Sequence, residues 1–275
     1  MTARVLAIAG SDSGGGAGIQ ADIKTITALG GYAMSAITAL TAQDTKTVHE
    51  IVAVDPGFIA RQIVVCLGDI GADAIKTGML HDVPVIEAVA QAIAEHGAGL
   101  PLVSDPVMVA KGGAALLEPG AVDSLKRVLL PMVTLLTPNL PEAEILAGMA
   151  INGLSEMKRA AESLRSLGPQ AVLLKGGHLA GDTIHDVLAI EDSIEIYDSP
   201  RIETSSTHGT GCTLASAIAT GLAQSMALPD AVVRARAYVR EAIRTAPDIG
   251  DGYGPLNHGH TAMPFDGTRN ARQET

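Results

Sequence analysis

Short apolar runs that end in glycine or polar turns alternate along this chain with longer segments of helical period, and that rhythm is its strongest folding constraint. "RVLAIAG" (4–10) reads as a buried strand, and "GIQADIKTITALG" (18–30) as a helix with Ile19, Ile23, Ile26 and Leu29 on one face. Further strands are predicted at 34–43, 72–79, 100–108, 132–138 and 171–177. Helices are predicted at 55–70, where Asp55 and Pro56 mark the start, and at 83–97, 119–130, 140–148, 155–167, 212–226 and 229–245. "TIHDVLAIE" and "SIEIYDSP" predict two antiparallel strands turned near Glu191 to Ser193. Such alternation predicts an α/β fold, a mostly parallel sheet between two helix layers. Residues 1–262 read as one domain, and the polar stretch 263–275 as a disordered tail.

Composition agrees with that architecture. Trp is absent and there are two Phe and four Tyr, so the core must be built from Ala, Val, Ile and Leu, which suits parallel strands covered on both faces. A net charge of −11 without a basic block argues against nucleic acid or an anionic membrane as partner. Cys66 and Cys212 are far apart and form no metal-ligand pair, which fits free thiols in a reducing, cytoplasmic compartment. The opening apolar run is too short for a signal peptide, and no window is long enough to span a membrane.

Sheets of this kind bind ligands beyond the carboxyl ends of their strands. The residues expected on that rim are Gly10–Gly18, Gln43, Gly78–Met79, Asp105, Asn139–Glu142, Lys175–His178 and the 207–212 loop. Neither nucleotide fingerprint is present: "GADAIKTG" (71–78) lacks the second P-loop glycine, and "GTGCTL" ends in Leu214 where GxGxxG needs glycine. "GTGC" is a more general device, since its glycines allow positive φ and successive N–H groups before an Ala-rich helix form an anion site. The bland alternative is a glycine turn with a small buried cysteine. The helix field is expected to depress the Cys212 pKa, making the thiolate a base or a partner for a substrate hydroxyl. A nucleophilic cysteine is the rival, without a Cys-His-Asn context to support it.

Asp105, at the end of "SDPVM", and Glu142 suit Mg²⁺ held by one or two carboxylates, water and phosphate. Asn139 with Glu142 equally reads as a helix capping box, and Glu144 as solvated. Lys175 is a strand-end lysine or a cation for phosphates, and His178 is structural or substrate-adjacent. The glycine-rich first loop either approaches a planar ligand or folds as a lid, with Asp22 facing solvent or a ligand amine. The Gln43 amide can donate and accept toward a heterocycle edge.

"IAGSDSGGGAGIQADIKT", "ITALTAQDT", "KTGML", "SDPVM", "TPNLPEAE", "LLKGGH" and "THGTGCTLASAIA" together resemble, in this order, the hydroxymethylpyrimidine and hydroxymethylpyrimidine-phosphate kinases of thiamine biosynthesis, within the ribokinase-like superfamily. The resemblance spans roughly residues 4–260. It implies a three-layer sandwich with a small flap, a homodimer, and ATP and Mg²⁺ as cofactors. It implies aminopyrimidine binding by Asp22 and Gln43 near Gly10, Met79 and Val107. By the same resemblance Asp105, Asn139 and Glu142 serve Mg²⁺ and phosphate, while Lys175, His208 and Thr210 serve ATP. Gly209, Thr210 and Gly211 form an anion hole, with Cys212 where sugar-kinase relatives carry an aspartate base. "DGYGPLNHGH" (251–260) is similar to the family's C-terminal segment near the active site. The first loop departs mildly, lacking a proline frequent in the family, and nothing after His260 matches. The competing readings are a pyridoxal kinase, which Gln43 and Met79 disfavour, and a non-catalytic vitamin-binding protein, which an intact Asp105, Lys175 and "GTGC" disfavour.

Overall fold

The computed structural model describes residues 2–110, 112–118 and 120–262; the expected tail at 263–275 lies outside them. One nine-stranded sheet forms in the order β3-β2-β1-β4-β5-β6-β7-β8-β9. Its strands are β1 (Arg4–Asp12), β2 (Tyr32–Gln43), β3 (Val48–Ala53), β4 (Ala74–Thr77), β5 (Leu102–Ser104), β6 (Leu135–Leu136), β7 (Ala171–Leu174), β8 (Thr183–Ile190) and β9 (Ser193–Pro200). Strands from β2 through β1 and β4 to β7 pair in parallel, whereas β3, β8 and β9 join antiparallel.

Successive side chains of each strand feed two separate cores. On one face Leu6, Ile8, Ile75, Leu102 and Leu136 pack under α2 (Pro56–Asp69), α3 (Val83–His96), the short α4 (Ala121–Ser124), α5 (Leu140–Ala147) and α6 (Leu154–Arg165). On the other face Val5, Ala7, Val103, Leu135 and Leu173 meet α1 (Gly18–Ala28), α7 (Thr210–Ala223) and α8 (Leu228–Arg244). The three-layer reading therefore stands, built from aliphatic side chains.

Some boundaries differ from expectation. The strand expected at 132–138 shrinks to Leu135–Leu136 because a π turn and a 3-10 turn carry the chain through Met132. Ile23 of α1 faces outward, and the buried face carries Ile19, Asp22 and Ile26 instead. The edge strand β3 had no forecast; it makes, with the end of β2 and the bridge Val109–Ala115, a flap over Met79 and Leu116.

Chain order reverses between β1 and β4: β2 and β3 lie to one side, and every later strand lies to the other. Ligand crevices form at such a switch point, outside the carboxyl ends of the strands.

Candidate active site

A cavity of about 1040 Å³ opens at this switch point, ample for two small-molecule ligands by the usual range of pocket volumes. Gly10 and Met79 border it from β1 and β4, and Gln43, Val107, Asp105, Asn139, Glu142, Lys175, His208, Gly209, Thr210, Gly211 and Cys212 all line it. The rim residues of separate strands thus converge as expected. The parallel ladder carries them there: Asp105 N–H donates to Thr77 O, Lys175 N–H to Pro138 O, and Asn139 bridges Lys175.

Asp22 is the exception. It is fully buried behind the cavity, where its carboxylate oxygens lie 2.8 and 2.9 Å from Lys76 Nζ. It faces neither solvent nor a ligand amine, because a buried carboxylate needs a counter-charge and β4 supplies one.

The floor is the first turn of α7. Asp55, Asp82 and Asn139 cap α2, α3 and α5, but α7 starts on Gly209 without a side-chain cap or an acidic residue in its first turn. Its positive end therefore faces the cavity uncancelled. Gly209 has φ +83°, and a Cβ there would collide with the Gly16 carbonyl oxygen. A Cβ on Gly211 would stand 3.0 Å from Asp105 Oδ2 and 3.1 Å from Lys175 Nζ. Glycine at both places lets the backbone reach the charged pair and the first loop.

The expected sign of the Cys212 shift is overturned. Cys212 is half-buried in the cavity lining, and desolvation pushes its thiol up to about 12. Lys76 pulls down, Asp22 and Asp105 push up, and the Gly18 N–H pulls down. Loss of hydration and two carboxylates outweigh the helix field.

Lys175 Nζ lies 2.9 Å from Asp105 Oδ1, with both side chains largely buried. Glu142 is buried beside them. Burial first, opposed by Lys175 and reinforced by Asp105, raises its carboxyl to about 7. The capping box is present as well: Asn139 Oδ1 accepts from Glu142 N–H at 3.0 Å, and Glu142 Oε2 from Asn139 N–H at 2.8 Å. Asn139 and Glu142 thus hold one another at the helix end while both line the cavity. Glu144 accepts from Ile151 N–H at 2.8 Å and is half-buried, not solvated.

Among the described residues no group of three or more His, Cys, Asp or Glu forms a protein-only metal cage. Asp105 and Glu142 fit Mg²⁺ in another way, as a carboxylate pair that shares a site with phosphate oxygens and water. A carboxyl raised by burial, and further by an acidic neighbour, is the kind of donor that an added cation returns to its charged form.

One nitrogen of the His208 ring is already engaged at the cavity wall: its Nε2 is 2.8 Å from Asp12 Oδ2. Asp12 also accepts from Gly14, Gly16 and Ala17 N–H at 2.8, 3.0 and 2.8 Å. Burial would raise the Asp12 carboxyl, but His208 and these N–H groups hold it below the usual range. The glycine-rich first loop is thus fastened to the anion turn, a link sequence reasoning missed. Arg236 was missed too; its Nε donates to Asp186 Oδ2 at 2.8 Å, and Asp186 Oδ1 accepts from Gly176 N–H at 2.9 Å next to Lys175.

A family model described as phosphomethylpyrimidine kinase matches residues 12–257. The chain is 52% identical over 255 residues to the thiamine biosynthesis bifunctional protein ThiED of Geobacter sulfurreducens. That match covers 92% of this chain and 52% of the relative, so the chain spans about half of that protein. It is 47% identical over 256 residues to the hydroxymethylpyrimidine/phosphomethylpyrimidine kinase of Bacillus subtilis, covering 93% of this chain and 94% of that one. In three dimensions it is similar to the pyridoxal kinase of Staphylococcus aureus solved with ADP, with TM-score 0.88, 36% identity and 96% of each chain covered.

Proposed function

Because the chain belongs to the phosphomethylpyrimidine kinase family, we propose that it phosphorylates hydroxymethylpyrimidine with ATP, and then converts the monophosphate to the diphosphate, in thiamine biosynthesis. The observation that carries this reading is the open N-terminus of α7, set between Lys175, Asp105 and Glu142 in one roomy cavity. A non-catalytic binding protein has no use for that arrangement.

Gly10, Gln43, Met79 and Val107 wall the pyrimidine half, with the Gln43 amide toward the heterocycle edge. The triphosphate lies along Lys175 and the Thr210–Gly211–Cys212 turn. The substrate hydroxyl attacks the γ-phosphorus in line. Its O–P bond forms as the bond from phosphorus to the bridging oxygen breaks, and ADP leaves. Backbone N–H groups of the turn stabilise the equatorial oxygens, and Lys175 neutralises the leaving diphosphate. The hydroxyl proton passes to the Cys212 thiolate, a sparsely populated but strong base, and S–H replaces O–H. Magnesium, held through Asp105 and Glu142, would supply further neutralisation of the triphosphate. His208 acts on the first loop through Asp12.

Leu40 and Val52 pair across the flap and are 47% and 54% exposed, and Phe58 and Val65 on α2 are exposed as well. These apolar side chains support a homodimer through this end of the sheet. ATP use and two unpaired cysteines favour the cytoplasm.

A coupled ADP-release assay with hydroxymethylpyrimidine, its monophosphate and pyridoxal tests the reading, with product masses confirmed. Turnover of both pyrimidines is expected. Pyridoxal alone as substrate would instead favour the second reading, for which the likeness to the solved pyridoxal kinase speaks.

A further inference from the structure

Behind the floor of the cavity lies a charge pair that the reaction above leaves unused. Lys76 on β4 and Asp22 on α1 are both 0% exposed. Ser216 Oγ donates to Asp22 Oδ1 at 2.7 Å, and Ser216 follows Cys212 by one turn of α7. A Cβ on Gly78 would stand 2.8 Å from Lys76 Nζ, so the strand leaves room for the ammonium just where it turns into the cavity wall at Met79.

Three elements therefore meet on this pair beneath the anion turn. Packing does not call for it, since apolar side chains of similar volume hold such elements without the cost of desolvating two ions. What the ammonium adds is charge. The charged groups that face Cys212 are Lys76 from β4, Asp22 from α1, Asp105 beyond β5 and Lys175 beyond β7. Burial pushes Lys76 down, but Asp22 first, then Cys212 and Asp105, hold it above its usual value and charged.

We propose that Lys76 is a positioning residue for phosphoryl transfer: held by Asp22, itself anchored by Ser216 one helical turn beyond Cys212, its ammonium is the counter-charge that lets the Cys212 sulfur take the substrate's hydroxyl proton. The inference rests on the kinase reading above.

The test uses the full chain with Cys66→Ser, which leaves Cys212 as its single thiol. In that background Lys76→Met removes the ammonium. The double variant Lys76→Met, Asp22→Asn removes both charges, so that no unpaired ion stays buried and folding is kept. Alkylation of Cys212 by iodoacetamide is followed against pH, beside kcat and KM in the ADP-release assay. K76M should move the alkylation profile to higher pH, and the double variant in the same direction but less far. In both, kcat should fall by about tenfold or more with KM for either substrate nearly unchanged. Profiles that overlay the parent's in both variants overturn the proposal, as does a loss confined to KM. A parent that phosphorylates neither pyrimidine sinks the substrate reading instead, which the alkylation profile does not depend on.

Discussion

Cys212 shows why a residue's neighbours decide its chemistry more than its place on a helix does. A thiol raised to about 12 is almost wholly protonated at neutral pH, and its thiolate population grows about tenfold per pH unit below that value. If this thiolate takes the hydroxyl proton, kcat should climb with pH above neutrality. Cys212→Ser, which does not ionise in this range, should lower kcat by about 100-fold and flatten the climb. A parallel climb in the serine variant would remove Cys212 from proton transfer. Glu142 allows a second residue-scale prediction. With its carboxyl near 7 in the free protein, binding of Mg·ATP brings cationic charge to it and should release protons near neutral pH. Calorimetry in buffers of different ionisation heat reads that release, and Glu142→Gln should abolish it. The capping box of Asn139 and Glu142 was legible from spacing alone, because both partners lie in one turn. The burial of Asp22 was not, because its counter-charge comes from Lys76, 54 residues away.

At the level of elements, the anion turn depends on two backbones touching. Gly209 and Gly148 both have positive φ, +83° and +67°, yet a Cβ on Gly148 meets nothing within 4 Å, whereas one on Gly209 strikes Gly16. Gly148→Ala should therefore cost about 1 kcal/mol and leave turnover intact. Gly209→Ala should cost about 2 kcal/mol or more and abolish turnover, since the first loop and α7 must separate to admit the methyl group. Thermal melts beside the ADP-release assay distinguish the two. Most elements could be read from their periodicity because each has one apolar face against one of the two cores. β3 could not: "VHEIVA" is an edge strand whose residues are largely exposed, so burial left no alternating pattern for periodicity to detect. The 132–138 segment misled for the opposite reason, since an apolar run serves a turn and a short strand equally well.

For the molecule as a whole, the C-terminal segment straps α7 to α8. His208 bridges Pro255, Asn257 N–H donates to Ala242 O, and Tyr238 Oη donates to His258 O. Thr213 Oγ1 lies 2.8 Å from Gly209 O and 2.9 Å from His258 Nε2. Its single proton goes to the carbonyl, so His258 donates through Nε2. Burial, chiefly, lowers the His258 value from 6.5 to about 4. Between these values the unfolded chain binds a proton that the folded chain refuses, so stability falls as pH drops through this window, by roughly 2–3 kcal/mol in all. Melting temperature followed from pH 7 to pH 4 should show the fall, and His258→Gln should flatten it. The sheet's polarity has one more outcome. β1 begins at Arg4, at the pole away from the cavity mouth, and Thr261 Oγ1 donates to Ala28 O at the far end of α1. Both ends of the described chain therefore leave from the same remote pole. A second catalytic unit, an affinity tag or a surface anchor can be joined there without shading the mouth.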